Sequence, residues 1–338
     1  MEIKRILFSY IKPNIYQIFY LIFCFILFPK VKSTEQYFIQ STTLINGNIF
    51  IIRNYGSNIY INIYDQYLNK TVDNKYIDKN EDVGVHLSKG EIVKFTEDNF
   101  DLIIAVIKDK IYIFNNTGHY IYNNSIDLNG YYYNIIPIEK NKSENTYTYA
   151  VAFVQNNNLQ LKFFIYNKND QSNTLKHNIT NITKISNIDS INQFQYKNFS
   201  CQLMSQLNRN ETIVCFYQKN INWSSLLGVF YVDTENFSIT FQRNISLQNP
   251  IKFLKSVVNN EKNKSLICFG SDQKKKINCT IYSFENDTFS AIKEYDIHCS
   301  EDYSLSKFSY IKETNEFLFY CENNENISLA IFDKYFND

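Results

Sequence analysis

Residues 58 to 65 read NIYINIYD, a run of alternating Ile, Tyr and Asn that ends on an aromatic residue followed by Asp. β-branched and aromatic side chains favour a pleated strand, where they pack on neighbours, over a helix, where they lose rotamer freedom. The same ending recurs down the chain: Phe114 then Asn115, Tyr166 then Asn167, Val232 then Asp233, Phe284 then Glu285, and Phe332 then Asp333. The spacings from Tyr64 onward are 50, 52, 66, 52 and 48 residues. A period of that length marks a repeated supersecondary unit, because one such unit cannot bury its apolar face alone.

Working outward from each copy, a more uniformly apolar run precedes it across a short polar turn. These runs are NIFIIRN, DLIIAVIKD, YTYAVAFVQ, ETIVCFYQ, KSLICFG and NEFLFYC. Continuous apolar runs of this length suit strands covered on both faces. A further apolar stretch comes earlier in most copies (EIVKFTE, YNIIPIE, NFSCQLMS, IKFLKSVV, SLSKFSYI), and a less apolar one such as HYIYNN or FSITFQR comes later. Four strands per fifty-residue unit resemble the blades of a β-propeller. The resemblance is to a six-bladed propeller ectodomain in an Asn-rich secreted or surface protein of the kind AT-rich protists encode. It implies an all-β fold with a single propeller domain over residues 34–338. In the last copy SLAIFD lacks a following strand, and QYFIQST at 36–42 is expected to add to its edge and close the last blade.

Composition agrees with an all-β reading. The chain has 338 residues with 27 Tyr and 28 Phe but only 8 Gly and 4 Pro, so its turns need another former. The 46 Asn residues can take that role, because Asn tolerates the left-handed conformation and bonds its own backbone. Lys plus Arg and Asp plus Glu both total 34, which argues against a nucleic-acid partner. Lys274, Lys275 and Lys276 are the one concentrated basic spot, and the triplet reads as a hairpin tip.

Three features point to secretion. Residues 1–33 read as a signal peptide: Lys4, Arg5 and Lys12 precede the apolar run at 15–28, and Val31 and Ser33 are small residues at a cleavage site. The run contains Gln17 and is short for a spanning helix. No membrane span is expected after cleavage. Fifteen Asn-x-Ser/Thr acceptors are present where the Asn and Ser-plus-Thr frequencies give about six by chance. Asn69, Asn115, Asn236 and Asn286 fall shortly after the recurring aromatic, at expected turns into an outermost strand that a glycan can reach. Finally, Cys201, Cys215, Cys268, Cys279, Cys299 and Cys321 form three successive close pairs, separated by 14, 11 and 22 residues. Six cysteines allow fifteen connectivities, and local pairing as disulfides is the expectation because each pair brackets one strand connection.

Signals of chemistry are weak. DNKYIDKNEDVG at 73–84 alternates Asp78, Asn80 and Asp82 as a calcium loop does, but Val83 stands where the turn needs Gly and Lys89 where a bidentate Glu belongs. FGSDQ at 269–273 matches part of the box of sialidase propellers, yet it occurs once and lacks the Gly and Trp that follow. Asp296 and His298 in YDIHC share one strand face and are a candidate acid/base pair. Tyr131, Tyr132 and Tyr133 alternate faces, so one could serve as an exposed anchor. No catalytic, cofactor or metal residue is assigned. The expected function is a secreted or cell-surface glycosylated binding module for a protein or carbohydrate partner, with a secreted propeller-type glycan hydrolase as the alternative.

Overall fold

A computed structural model describes residues 39–332 apart from 45, 56–57, 66, 80–90, 98–99, 108–109, 125–127, 129, 142, 157, 185–198, 205–211, 222–223, 248–252, 259–263, 272–275, 286–287, 299–306, 312–315 and 323–326. The described residues form twenty-three strands and no helix. Sheet 1 holds β1 (Ile39–Thr43), β2 (Ile49–Tyr55), β3 (Asn58–Tyr64) and β4 (Lys70–Lys79), and sheet 2 holds β5 (Glu91–Glu97), β6 (Phe100–Ile107), β7 (Lys110–Asn115) and β8 (Tyr120–Asn124). Sheet 3 is built from β9 (Tyr131–Asn141), β10 (Thr146–Gln155), β11 (Asn158–Asn167) and β12 (Ser172–Lys184). Sheet 4 comprises β13 (Phe199–Met204), β14 (Thr212–Ile221), β15 (Ser224–Asp233) and β16 (Ile239–Leu247). Sheet 5 comprises β17 (Phe253–Val258), β18 (Lys264–Ser271), β19 (Lys276–Glu285) and β20 (Thr288–His298). Sheet 6 has three described strands, β21 (Lys307–Ile311), β22 (Glu316–Glu322) and β23 (Ile327–Phe332).

Every sheet is an antiparallel meander with its strands in chain order. The first strands are neighbours from sheet to sheet, running β1, β5, β9, β13, β17, β21. All six sheets belong to one compact unit, Phe38–Asp338.

The apolar runs of sheets 2, 3 and 4 are buried on both faces because each of these sheets is packed between two others. Leu102, Ile104 and Val106 of β6 point into a core shared with sheet 3, while Ile103, Ala105 and Ile107 point into the one shared with sheet 1. Tyr149, Val151 and Phe153 of β10 likewise meet sheet 2, and Ala150, Ala152 and Val154 meet sheet 4. Alternation across the pleat therefore feeds two cores with one strand, which removes the polar-out pattern of a half-solvated sheet. Burying each such Phe or Ile contributes about 1.5 to 3 kcal/mol. Three exposed large apolar side chains lie on fourth strands: Tyr76 on β4, Leu175 on β12 and Ile239 on β16.

The recurring Asp or Asn has a structural cause. Asp65 Oδ1 accepts from the backbone N–H of Tyr67 and of Asn69, each at 2.8 Å. Asn115 Oδ1 accepts from Thr117 N and His119 N, Asn167 from Asn169 N, and Asp233 from Glu235 N and Asn236 N. One side chain thus closes the turn between the third and fourth strands in four sheets. Each of these turns contains one residue with positive φ: Leu68 (69°), Gly118 (70°), Gln171 (56°) and Phe237 (59°). The expectation that Asn takes these positions holds in sheet 3 for Asn145 and Asn156, whereas the turns into the fourth strand use other residues.

One expectation is corrected. Residues 39–42 of the segment expected to close the last blade, together with Thr43, pair with β2 from Ile39↔Arg53 to Thr43↔Ile49. They supply the inner strand that sheet 1 otherwise lacks, while sheet 6 is formed by β21, β22 and β23 among the described residues. The rest of that segment, 36–38, and all of 1–33 lie outside the described residues.

Candidate functional site

The inner strands of sheets 3, 4 and 5 are tied together by neutral polar side chains. Asn134 Oδ1 on β9 accepts from the backbone N–H of Cys201 on β13. Ser256 on β17 donates to Ser200 Oγ on β13 twice, from its hydroxyl at 2.7 Å and from its backbone N–H at 3.2 Å. Gln202 Nε2 donates to the hydroxyl of Ser265 on β18. The pleat sorts these groups: Cys201 and Leu203 face the core shared with sheet 3, while Met204 faces sheet 5, and Ser200 and Gln202 share its side of the strand. Gln202 is 8% exposed, and its Oε1 has no donor. A buried acceptor left in that state costs about 1 to 3 kcal/mol.

A charged pair lies on the neighbouring sheet 2. Lys94 on β5 stands 4.0 Å from the fully buried Asp101 at the start of β6. Burial pushes the Lys94 ammonium below its usual pKa, and the Asp101 carboxylate partly opposes that shift. Amides and hydroxyls donate and accept without exchanging protons near neutral pH, so the belt suits the holding of neutral polar groups. Among the described residues no group of three or more His, Cys, Asp or Glu could hold a metal ion.

The cysteine expectations stand as follows. Cys201 and Cys215 are directly opposite on β13 and β14 and form a disulfide, with Cα atoms 4.0 Å apart. Cys268 and Cys279 do the same between β18 and β19. Cys299 lies outside the described residues. Of the glycan acceptors, Asn69 and Asn236 are exposed and Asn115 half-buried, all in turns leading to a fourth strand, while Asn286 lies outside the described residues.

Other singled-out residues disperse. Tyr133 is fully buried and donates to Gly130 O at 2.6 Å, so it is a core residue rather than an anchor. Residues 80–90 of the calcium-like stretch, residues 272–273 of FGSDQ and Lys274 and Lys275 lie outside the described residues. Asp296 and His298 fall at the end of β20. The polar belt was not singled out from the sequence. Its one signal is Gln202 inside the otherwise apolar CQLM, but which sheet each face of β13 meets is a tertiary fact.

The chain matches no family model and no curated protein sequence. Among solved structures it is similar to an alpha-L-arabinanase from Penicillium chrysogenum, with a TM-score of 0.51 and 11% identity over 90% of this chain and 95% of that one. It also matches the WD40 domain of SCAP from fission yeast (TM-score 0.42, 11% identity, 86% and 78% covered) and an oligogalacturonate lyase (0.39, 8%, 86% and 87%). The arabinanase likeness and the six-sheet meander together define the fold as a β-propeller. At this identity it is the fold alone that is shared. Among the described residues no helix is long and apolar enough to cross a membrane.

Proposed function

We propose that the chain is a secreted or cell-surface glycosylated binding module, with residues 1–33 removed as a signal peptide, that recognises a protein or carbohydrate partner. The observation that carries the reading is the neutral amide and hydroxyl belt on the inner strands, with the buried Gln202 Oε1 lacking a donor. Such a set orients a ligand by hydrogen bonds. Hydrolysis of a glycan needs a pair of carboxylates flanking the scissile bond, and the side chains that link the inner strands by hydrogen bonds among the described residues are amides and hydroxyls. The cross-strand disulfides and the exposed acceptors support an oxidising, glycosylating compartment. Balanced charge makes nucleic acid a poor partner.

The test is a paired assay on the mature protein from secreting cells, against one panel of polysaccharides and immobilised extracellular proteins. Retention on a subset without new reducing ends is expected. Release of reducing ends by the purified chain would replace this reading with the hydrolase one.

A further inference from the structure

In an antiparallel meander the turn between strands one and two and the turn between strands three and four lie at the same end of the sheet. Sheet 3 shows the two in contact: Lys168 N donates to Asn145 O at 3.0 Å, and Asn145 Nδ2 to Asn169 Oδ1 at 3.0 Å. Between sheets 1 and 2, the β7–β8 turn packs on strands β3 and β4. Lys75 on β4 donates to Gly118 O at 3.0 Å and approaches His119 Nδ1 at 3.2 Å, and a Cβ on Gly118 would stand 3.0 Å from Ile63 Cδ1.

Among the described residues, four acceptors fall in these turns. Asn69, Asn115 and Asn236 lie between third and fourth strands, and Asn141 lies between β9 and β10. At three of them the turn uses the carbonyl oxygen. Thr117 Oγ1 donates to Asn115 Oδ1 at 2.7 Å, Ser143 Oγ to Asn141 Oδ1 at 2.7 Å, and Ser238 N to Asn236 Oδ1 at 2.8 Å. The amide nitrogen, which is the atom a sugar would occupy, is not the atom the turn needs. Asn69 differs, since its Nδ2 donates to Asp65 Oδ2 at 3.1 Å, but an amide keeps one N–H after attachment.

The same end of the molecule carries aromatic surface beside two of these residues. Tyr67 is 75% exposed, and Leu68 next to it is also exposed. Phe237 follows Asn236 and is only half covered, with its ring stacked on His177 at 4.6 Å. Apolar rings left in water next to a sugar acceptor gain cover from the first residues of a glycan.

We propose that Asn69, Asn115, Asn141 and Asn236 carry N-glycans that together shield the end of sheets 1 to 4 bearing these turns, closing it to folded partners. The step is transfer from a lipid-pyrophosphate-linked oligosaccharide. Asn Nδ2 bonds to the anomeric carbon and loses one proton, and the bond from that carbon to the pyrophosphate oxygen breaks, with the lipid pyrophosphate leaving with the electron pair. This inference rests on the secreted reading above and places partner recognition away from that end.

Site-by-site glycopeptide occupancy of the protein from secreting eukaryotic cells is the first measurement, and peroxidase-catalysed iodination of the native protein is the second. Iodination requires a folded enzyme to reach the phenol, so it reads access of a macromolecule to Tyr67, with the exposed Tyr76 on β4 as internal reference. All four sites should be occupied, and labelling of Tyr67 relative to Tyr76 should rise several-fold after enzymatic glycan removal without denaturation. Glycans found only at other acceptors such as Asn123 or Asn244 would overturn the shield and leave secretion standing. A chain with no glycans and with residues 1–33 retained would overturn secretion itself. Occupied sites with Tyr67 labelling indifferent to glycan removal would also overturn the shield.

Discussion

Gly228 of β15 lies directly opposite Tyr217 of β14, and the tyrosine ring covers its Cα. A Cβ added there would fall within 3.0 Å of three ring atoms, Cζ, Cε1 and Cε2, a separation that real Cβ atoms essentially never show. The ring has little room to retreat. It is 2% exposed, lies 5.8 Å from the ring of Phe230, and belongs to the core between sheets 3 and 4. Overpacking a close-packed core by one methyl costs about 1 to 3 kcal/mol. For a domain of this size each kcal/mol moves Tm by about 2 to 4 °C, so Gly228→Ala should lower Tm by about 2 to 12 °C. Thermal unfolding of the secreted protein followed by circular dichroism reads this directly. Shortening the opposing ring with Tyr217→Leu should make the second change nearly free, so the double variant should be more stable than the sum of the singles by about 0.5 to 3 kcal/mol. An unchanged Tm for Gly228→Ala, or strict additivity in the double variant, would refute the close approach and with it the register of β14 against β15.

Replacing Cys201 and Cys215 together by Ser should cost about 3 kcal/mol, the chain-entropy value for a loop of this length, read as a fall in unfolding free energy from denaturant titration. Tyr166 has a fully buried hydroxyl with no partner, and burial followed by the nearby Asp170 carboxylate pushes its pKa up to about 12. Because the folded value is raised, the stability this group contributes is complete below pH 10 and falls away between about pH 10 and 12. Tyr166→Phe should abolish that part of the alkaline loss and leave neutral-pH stability unchanged or higher by about 1 kcal/mol; a large destabilisation would show that the hydroxyl is satisfied after all. The hydrogen bond from the Asn69 side chain, with those from the Asn69 and Tyr67 backbone, holds the Asp65 carboxyl below its ordinary value, so its turn is intact above about pH 4 and loosens as pH falls through the lowered pKa. Acid-dependent amide exchange at Tyr67 and Asn69 should disappear in Asp65→Asn, whose carbonyl accepts the same bonds at every pH.

The sequence by itself determined the strands. The fifty-residue recurrence of an aromatic or β-branched residue before Asp, Asn or Glu, and the apolar runs on either side, mark the second and third strand of every sheet, because local preference and double-sided burial both leave their trace in residue type. The two described disulfides were legible for a related reason: cysteines 14 and 11 residues apart span one hairpin, and antiparallel register sets them opposite each other. Sequence did not reveal which turn residue would adopt positive φ. Leu68, Gln171 and Phe237 carry no such preference and are held there by the Asp or Asn that begins the turn. Nor did it fix the partner of residues 39–42, which pair with β2, because their side chains, Ile, Gln, Ser and Thr, form too weak an apolar pattern to specify one edge over another. The inner belt was equally hidden. Asn134, Ser200, Gln202, Ser256 and Ser265 lie up to 131 positions apart, and only the packing of sheets 3, 4 and 5 brings them within hydrogen-bonding distance.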